Sequence, residues 1–281
     1  KTLLNKPVKE LTFCVLGAGH GGLAMAGHLG LMGYTVNLFN RGRRKILPVA
    51  HRGGVRVEGS IEGFGKVNLA STNIKECIQD VDILMVVVPA TGHRYIAKIC
   101  APYLRENQIV VLNPGRTGGC LEFLQILKEE GLKKFPFLAE AQTFIYASRS
   151  IGPAHSKIFS IKNSVPLATL PAYWIPGVVK VLNRVFPQFV PGDNIFKTSL
   201  NNIGAIFHPA LTVLNAAWIE ETHGDFEYYI QGASPSISKV LEKLDKERLD
   251  IASALGIRAM SAKNWLYTAY SATGKDLREA I

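Results

Sequence analysis

Short apolar runs alternate with helical patterns through the first part of the chain. Leu11–Leu16 is followed by a glycine-rich turn, a helical segment and a second apolar run at Tyr34–Phe39. Val55–Asn68 alternates and contains glycines, which predicts a hairpin inserted before the next parallel strand. The run 81–90 (VDILMVVVPA) has no polar alternation, as is typical of a strand covered on both faces. The segment 108–119 (QIVVLNPGRTGG) repeats strand, turn and helix, so we predict a Rossmann-type, doubly wound α/β sheet.

The pattern changes to helical spacing after Pro171. We therefore expect an α/β domain over residues 1–168 and an all-helical domain over residues 169–281. The segment 186–194 (FPQFVPGDN) predicts a proline-rich connection inside the second domain. The helices predicted there are Trp174–Phe186, Leu200–Glu221, Ser236–Leu255 and Ser261–Tyr270.

The turn after the first apolar run has the glycine spacing of a dinucleotide site. Gly17 would allow a tight turn, Gly19 would let the backbone approach a pyrophosphate, and Gly22 would let the helix pack close to the strand. The N-terminus of that helix would present free N–H groups to the phosphates. The carboxyl ends of later parallel strands should line the same site. The residues expected to contact the cofactor in this way are Gly17, Ala18, Gly19, His20, Gly22, Pro89, Ala90, Asn113 and Gly115.

The end of the second strand bears on the choice of cofactor. An NAD site usually carries Asp or Glu there, to bind the ribose hydroxyls. No acidic residue occurs between Glu10 and Glu58, and the strand ends in Asn40 and Arg41, with Arg44 close behind. Guanidinium groups suit a 2′-phosphate, so the sequence favours NADP(H) over NAD(H). A solvated basic loop is the alternative interpretation.

Composition narrows the class of partner. The chain has 281 residues, a net charge of +10 and 47% hydrophobic residues. Its basic residues are scattered and match no nucleic-acid signature, so we expect a small anionic ligand and no nucleic acid. No apolar run reaches the roughly 18–20 residues of a membrane span, and no signal peptide is evident. We therefore expect a cytoplasmic protein. The chain begins with Lys1 and not with Met, so we also expect that the natural N-terminus is missing. Four cysteines without ligand spacing predict reduced thiols and no metal site.

The segment 199–221 (SLNNIGAIFHPALTVLNAAWIEE) carries polar residues on an otherwise apolar helix. Pro209 cannot donate a backbone hydrogen bond, so we expect a kink or a new helix there, with His208 at the bend. A buried polar stripe costs free energy unless it is satisfied internally or lines a wet cleft, and the pattern leaves both open. The residues that share this face are Asn201, Gly204, Ala205, His208, Thr212 and Asn215.

Several longer stretches resemble the octopine/opine dehydrogenase family, namely VVVPATGHRYIAKICAPYL, QIVVLNPGRTGGCLEF, AEAQTFIYASRSIGP and IKNSVPLATLPA. The resemblance implies a Rossmann domain like that of glycerol-3-phosphate dehydrogenases, followed by an all-helical domain. It also implies NAD(P)H-dependent reductive condensation of the amino group of an amino acid with a 2-oxo acid. In the family's motif a histidine before proline, with an asparagine seven residues earlier, belongs to the catalytic centre. These positions are His208 and Asn201.

The chemistry of His208 suits the role that the resemblance implies. An imidazole can hold or release a proton near neutrality, so we expect His208 to be the general acid/base and to face the crevice between the domains. Gln142 and Thr143 are the expected substrate-binding residues, and a homodimer is a further expectation. The family pairs the histidine with an aspartate far along the chain. No aspartate in a matching context follows before Ile281, so we expect the helical domain to be truncated.

Two other functions stay open from the sequence. A ketopantoate-type or glycerol-3-phosphate-type reductase would share the N-terminal fold but should use a lysine of the helical domain as catalytic acid. No lysine occurs between Lys197 and Lys239, which argues against that reading. A dinucleotide-binding sensor without catalysis is the second alternative, and the missing aspartate favours it slightly.

Overall fold

The computed structural model describes residues 2–281, and the side chains of all of these but Thr2, Ala269 and Tyr270. The strands are β1 (Thr12–Leu16), β2 (Thr35–Phe39), β3 (Gly54–Gly59), β4 (Gly63–Lys66), β5 (Leu69–Ser71), β6 (Ile83–Val86), β7 (Ile109–Leu112), β8 (Phe137–Ala141), β9 (Tyr146–Gly152), β10 (His155–Ile161), β11 (Val165–Leu170) and β12 (Phe189–Pro191). The helices are α1 (Thr2–Asn5), α2 (His20–Leu31), α3 (Arg43–Arg52), α4 (Ile74–Ile78), α5 (His93–Cys100), α6 (Gly119–Glu129), α7 (Ile175–Leu182), α8 (Ile195–Leu200), α9 (Gly204–Leu214), α10 (Ala216–Glu221), α11 (Pro235–Ala254), α12 (Ala262–Tyr270) and α13 (Leu277–Ala280).

The chain forms two compact units, one that ends at Thr198 and one that spans Ser199–Ile281. The division therefore falls later than the expected boundary between residues 168 and 169. The reason is that β12 pairs with β11 in parallel, and this adds a strand to the sheet of the first unit. The prediction of a proline-rich connection over 186–194 missed this strand, because Pro191 ends an edge strand where no further ladder bond is needed.

The first unit is built on an eight-stranded sheet in the order β12-β11-β8-β7-β6-β1-β2-β5. Its neighbouring strands are parallel except for β8 and β11, which run antiparallel. Val15 of β1 lies in register with Leu38 of β2 and Met85 of β6, and all three side chains are fully buried. Apolar runs without alternation therefore belong to a sheet covered on both faces, which confirms the predicted Rossmann-type class.

A second, four-stranded sheet in the order β4-β3-β10-β9 packs against helix α2. The predicted hairpin is its β3–β4 pair. Close packing depends on glycines, because a Cβ at Gly27 would come within 2.4 Å of Val57, and one at Gly65 within 1.9 Å of the Gly27 carbonyl oxygen. Since α2 also packs against β1 and β2, it is covered on opposite sides. This burial explains why the helix has no polar face.

The second unit holds a smaller apolar core and departs from the sequence prediction in one helix. The expected helix Leu200–Glu221 is divided between the end of α8, α9 and α10. Pro209 lies inside α9, so of the two expected outcomes, a kink or a new helix, the new helix is excluded. Because Ala205, four residues earlier, is exposed, its carbonyl can bind water in place of the missing N–H. The helix breaks instead at Asn215.

A buried ion pair ties the connecting segments of the second unit to α11. Arg248 donates to Asp245 and also to the carbonyl oxygens of Leu200 and Met260, at 2.6 and 2.5 Å. Asp245 in turn accepts from the N–H of Ala262 at 2.8 Å, so both charges are fully engaged.

Across residues 2–281, helices that combine the length and the apolarity needed to cross a membrane are absent. All four cysteines are buried and unpaired.

Candidate active site

Steric exclusion fixes the turn between β1 and α2. Gly17 has a φ of +116°, and its N–H donates to the carbonyl oxygen of Phe39 at 2.8 Å. A Cβ at Gly17 would lie 2.4 Å from the carbonyl oxygen of Val87, and a Cβ at Gly22 would lie 1.7 Å from that of Gly17. Side chains are therefore excluded at both positions, and the first turn of the helix lies directly against the strand.

The N-terminus of α2 fits a dinucleotide pyrophosphate. Gly19 is the N-cap residue, without a side-chain capping bond, and the first helical turn contains no acid. A Cβ at Gly19 would meet no atom within 4 Å, so the space above it is open. The first backbone N–H groups of the helix thus lack side-chain partners and lie at its positive end, which suits an anion.

Two polar side chains hold this turn in place. Ala18 is buried, and its N–H donates to Oδ1 of Asn40 at 3.1 Å, while Nδ2 of Asn40 donates to the carbonyl oxygen of Gly42 at 3.0 Å. Asn40 was not among the predicted site residues, although its place at the end of β2 was a signal. The exposed His20 accepts the backbone N–H of Ser150 on Nδ1 at 2.8 Å, so its neutral form carries the hydrogen on Nε2.

Arg41 and Arg44 lie beyond the end of β2, at the start of α3. Both are exposed, and neither takes part in an ion pair among the described side chains. The first turn of α3 contains no acidic residue and its N-cap, Gly42, provides no side-chain bond. Uncompensated positive charge therefore accumulates at the N-terminus of a helix, which favours the approach of an anion.

The later strands end in two different environments. Pro89 and Ala90 follow β6 and are exposed, whereas Asn113 and Gly115 follow β7 and are buried. Asn113 donates from Nδ2 to the carbonyl oxygen of Val111 at 2.9 Å. Gly115 leaves room for Glu140, because a Cβ there would lie 2.5 Å from the Glu140 side chain. The buried pair thus shapes the wall of the sheet edge, while the exposed pair is open to a ligand.

Glu140 is fully buried behind this edge. Its Oε2 accepts the N–H of Cys120 at 2.9 Å, and its Oε1 accepts the hydroxyl of Thr198 at 2.6 Å. The Cys120 N–H belongs to the first turn of α6, so the carboxylate lies at the positive end of that helix. Burial, followed by the charge of Glu140, raises the pKa of the Cys120 thiol well above its ordinary value. This thiol therefore stays protonated and serves packing.

The loop after β8 contains the two predicted substrate residues, Gln142 and Thr143, both half-buried. Gln142 is tied through its backbone N–H, which donates to the carbonyl oxygen of Pro166 at 2.9 Å. Thr143 accepts a hydrogen bond on Oγ1 from Nζ of Lys162 at 3.1 Å. Sequence reasoning missed Lys162, because the antiparallel pairing of β9 with β10, continued by the bond from the N–H of Lys162 to the carbonyl oxygen of Ile145 at 2.9 Å, is what brings residue 162 to this loop.

In the second unit, His208 is exposed on α9 and hydrogen-bonded to a tyrosine. Its Nε2 lies 2.7 Å from the hydroxyl oxygen of Tyr229. Gly204, one turn earlier, makes room for the ring, since a Cβ there would lie 3.2 Å from Nδ1 of His208. The hydroxyl of Tyr228 donates to the carbonyl oxygen of His208 at 3.0 Å, which holds the same turn from a second direction. The imidazole is thus oriented within its own unit and open to solvent.

The polar stripe of α9 is matched by the segment 228–232. The Tyr228 hydroxyl also lies 2.7 Å from Oγ1 of Thr212. The buried Asn215 donates from Nδ2 to the carbonyl oxygens of Leu211 and Gly232, at 2.8 and 3.0 Å. The stripe is therefore largely satisfied internally, with His208 and Thr212 at its exposed end.

Asn201 is the predicted site residue whose placement differs most from expectation. It precedes α9 and so does not share a helical face with His208. Its Oδ1 accepts the backbone N–H of Met260 at 3.1 Å. The helical projection failed here because the chain turns between α8 and α9, where the N–H of Ile203 bonds to the carbonyl oxygen of Asn201.

Both parts of the chain match known protein families. Residues 191–281 match the family described as NAD/NADP octopine/nopaline dehydrogenase, alpha-helical domain, and residues 13–115 match ketopantoate reductase PanE/ApbA. The chain is 34% identical to an opine dehydrogenase of Arthrobacter sp. (strain 1C) over 275 residues, which cover 98% of this chain and 76% of that protein. It is similar in fold to octopine dehydrogenase in complex with NADH and agmatine, with a TM-score of 0.78, 17% identity and coverage of 96% and 73% of the two chains. Yersinopine dehydrogenase with bound NADP+ gives a TM-score of 0.78 at 16% identity, covering 92% and 67%.

Proposed function

The chain belongs to the opine dehydrogenase family, whose members are NAD(P)H-dependent oxidoreductases acting on CH–NH groups, and on this premise we propose that it condenses an amino acid with a 2-oxo acid reductively, with His208 as general acid/base. The observation that carries the proposal is the exposed imidazole of His208, which Tyr229 and the turn at Gly204 hold in one orientation. An exposed, oriented imidazole can exchange protons with a ligand and with water. The uncapped N-terminus of α2 supplies the complementary feature, a cradle for the cofactor's pyrophosphate.

The chemistry assigns His208 a definite proton. The neutral amine nitrogen attacks the oxo carbon to form a carbinolamine, whose hydroxyl leaves as water and gives a protonated imine. Protonated His208 donates to that leaving oxygen, so one N–H of the imidazolium becomes part of the departing water. NAD(P)H, when bound, supplies the hydride that reduces the imine carbon. In the reverse direction neutral His208 accepts a proton from the attacking water, as microscopic reversibility requires.

Substrate dependence distinguishes this function from the two alternatives. We expect purified protein to oxidise NADPH only when a 2-oxo acid such as pyruvate and an amino acid are both present, with a secondary amine as product by mass spectrometry. Oxidation with the oxo acid alone would indicate a ketopantoate-type reductase, the function named for the family that residues 13–115 match. Binding of NADPH without oxidation under any substrate combination would indicate a sensor.

We further propose that NADP(H) is preferred over NAD(H). The support is the residue after β2, which is Asn40 and not an acidic residue. Its side chain is hydrogen-bonded to the backbone of Ala18 and Gly42. Arg41 and Arg44 follow as exposed, unpaired cations. A 2′-phosphate would engage such guanidinium groups through charge-assisted hydrogen bonds.

Fluorescence titration with NADPH and NADH tests this preference. We expect Arg41→Asp to weaken NADPH binding and to leave NADH binding nearly unchanged. Arg56→Asp is the matched control, because Arg56 is exposed on β3 of the same unit and the charge change is identical. If NADPH remains preferred to the same degree in Arg41→Asp, Arg41 does not determine the cofactor.

Two broader expectations join this proposal. We place the protein in the cytoplasm, since its four cysteines are all buried and unpaired, as suits a reducing compartment. Homodimerisation stays a prediction, for which analytical ultracentrifugation is the direct measurement.

A further inference from the structure

Lys162 lies in an unusual position for a lysine. It is half-buried, and its Nζ donates to Oγ1 of Thr143 at 3.1 Å and to the carbonyl oxygen of Phe144 at 2.6 Å. An ammonium group has three N–H donors, so these two neutral acceptors leave one donor for a further partner. No ion pair among residues 2–281 involves Lys162. A half-buried cation without a counter-ion is costly unless a ligand supplies the negative charge.

A second cation, Arg116, lies beside the start of the loop that holds Thr143, because the N–H of Gly115 donates to the carbonyl oxygen of Ala141 at 3.0 Å. Arg116 follows β7 and is exposed, and no carboxylate of the described residues pairs with it. Burial, followed by the charge of Arg116, lowers the pKa of Lys162. Arg116 also has a φ of +61°, in the left-handed region that residues with side chains seldom adopt. A strained backbone that carries a guanidinium whose charge acts on the ammonium of Lys162 points to a function for both charges.

The position of this pair relative to the cofactor turn follows from Phe144. Its ring lies over the first turn of α2, because a Cβ at Gly21 would come within 2.7 Å of two ring atoms. The carbonyl oxygen of Phe144 is the group that Lys162 holds. Phe144 thus connects the glycine turn directly to Lys162. The carboxylate of Glu140, close by in sequence, is occupied by Cys120 and Thr198 and is fully buried.

We propose that Lys162, Arg116 and Thr143 form the binding site for the carboxylate of the 2-oxo acid. The proposal rests on the proposed function. In a 2-oxo acid the carboxylate is attached directly to the carbon that accepts the hydride. The carboxylate of the amino acid is separated from that carbon by the nitrogen and the amino acid's own α-carbon. Holding that carboxylate on the unit that carries the cofactor turn would fix the acceptor carbon in one place. The open N–H of Lys162 and the Arg116 guanidinium bind the carboxylate oxygens, and the Thr143 loop sets the position of the ammonium.

Steady-state kinetics with Lys162→Met tests the site. Loss of one charge-assisted hydrogen bond should raise the KM for pyruvate by roughly tenfold to a hundredfold, with smaller changes in kcat. The KM for the amino acid and the dissociation constant of NADPH should not change. Lys162→Arg should restore the low KM for pyruvate. Lys133→Met is the matched control, because Lys133 is exposed on the segment that precedes β8, whereas the Thr143 loop follows the other end of that strand.

Replacing the carboxylate of the substrate gives a second test. The wild type should prefer pyruvate strongly to pyruvamide, whose amide is neutral. Lys162→Met should lose most of that preference, because removing the ammonium from the protein and removing the carboxylate from the substrate eliminate the same interaction. A site for cofactor phosphate would instead weaken NADPH binding in Lys162→Met, and a structural role would make Lys162→Arg as poor as Lys162→Met. Either result overturns the proposal.

Binding of oxamate to the NADPH complex separates this proposal from the proposed function. Oxamate resembles pyruvate in shape and carries the same carboxylate, and its binding can be followed through the fluorescence of bound NADPH without turnover. Weaker oxamate binding in Lys162→Met, together with absent turnover in the wild type, would reject the proposed function and support the carboxylate site. Normal turnover in the wild type, together with equal oxamate affinity in the wild type, Lys162→Met and Lys133→Met, would support the proposed function and reject the carboxylate site.

Discussion

The glycine turn of the first unit and the polar face of α9 in the second are fixed by different forces. At the turn, backbone atoms lie so close together that a Cβ at Gly22 would meet a carbonyl oxygen at 1.7 Å. On α9, pairs of polar side chains fix the geometry, as His208 and Tyr229 do at 2.7 Å. Where side chains are excluded sterically, as at Gly22, almost no substitution is tolerated. Hydrogen bonds between exposed side chains, in contrast, can be lost at small cost to the stability of the fold. The glycine turn is therefore fixed by its backbone packing, whereas the polar face of α9 is defined by side chains that can change without loss of the fold.

The largest effect is expected at the turn. Gly22→Ala should destabilise the fold by at least about 3 kcal/mol, because overpacking against a fixed carbonyl cannot relax. Gly19→Ala is the matched control, since a Cβ there meets no atom within 4 Å. It should unfold like the wild type in urea and bind NADPH more weakly. Equal urea midpoints for the two alanine variants would remove the steric account of the turn.

A half-buried histidine of α2, His28, contrasts with the exposed His208. Burial lowers the pKa of His28 to about 4, and its Nδ1 lies 2.9 Å from the hydroxyl of Tyr146. A base with a depressed folded-state pKa stabilises the fold fully above its unfolded pKa near 6.5, and this contribution is lost as the pH falls towards 4. We expect a loss on the order of 2–3 kcal/mol at pH 4.

Urea unfolding between pH 4 and pH 8 measures this contribution. His28→Phe keeps a ring among the neighbouring aromatic side chains and should flatten the decline, whatever its stability at pH 8. His51→Gln, at an exposed site on α3, should leave the decline intact. The account of His28 is wrong if its variant and the control decline together.

The smallest effects are expected on the polar face of α9, where burial should decide the order. Asn215 is buried and serves two carbonyl oxygens, so Asn215→Ala should cost about 1–3 kcal/mol. Thr212 is exposed, and Thr212→Val should change stability by less than about 0.5 kcal/mol. Thermal unfolding of the two variants provides the comparison. A larger loss in Thr212→Val would show that the exposed hydrogen bond with Tyr228 holds this surface together.

The same contrast explains what the sequence could predict. The central strands and the glycine turn follow from local rules, since apolar runs require burial and only glycine fits a φ of +116°. The strand β12 and the pairing of Lys162 with Thr143 depend on contacts between distant segments, which one sequence does not reveal. The face shared by Asn201 and His208 failed for a related reason. Helical projection assumes an unbroken helix, and the turn at 201–203 is a property of the folded unit.

The proposal that His208 supplies the proton is tested most directly by pH profiles in both directions of the reaction. A general acid must be protonated, so kcat/KM for reductive condensation in the wild type should fall as the pH rises through the imidazole's titration, and the oxidative direction should rise over the same interval. His208→Gln should lower the rate at least about a hundredfold, with folding and NADPH binding unchanged, and should lose both slopes. Slopes that persist in His208→Gln, or a rate close to that of the wild type, would show that another group carries the proton.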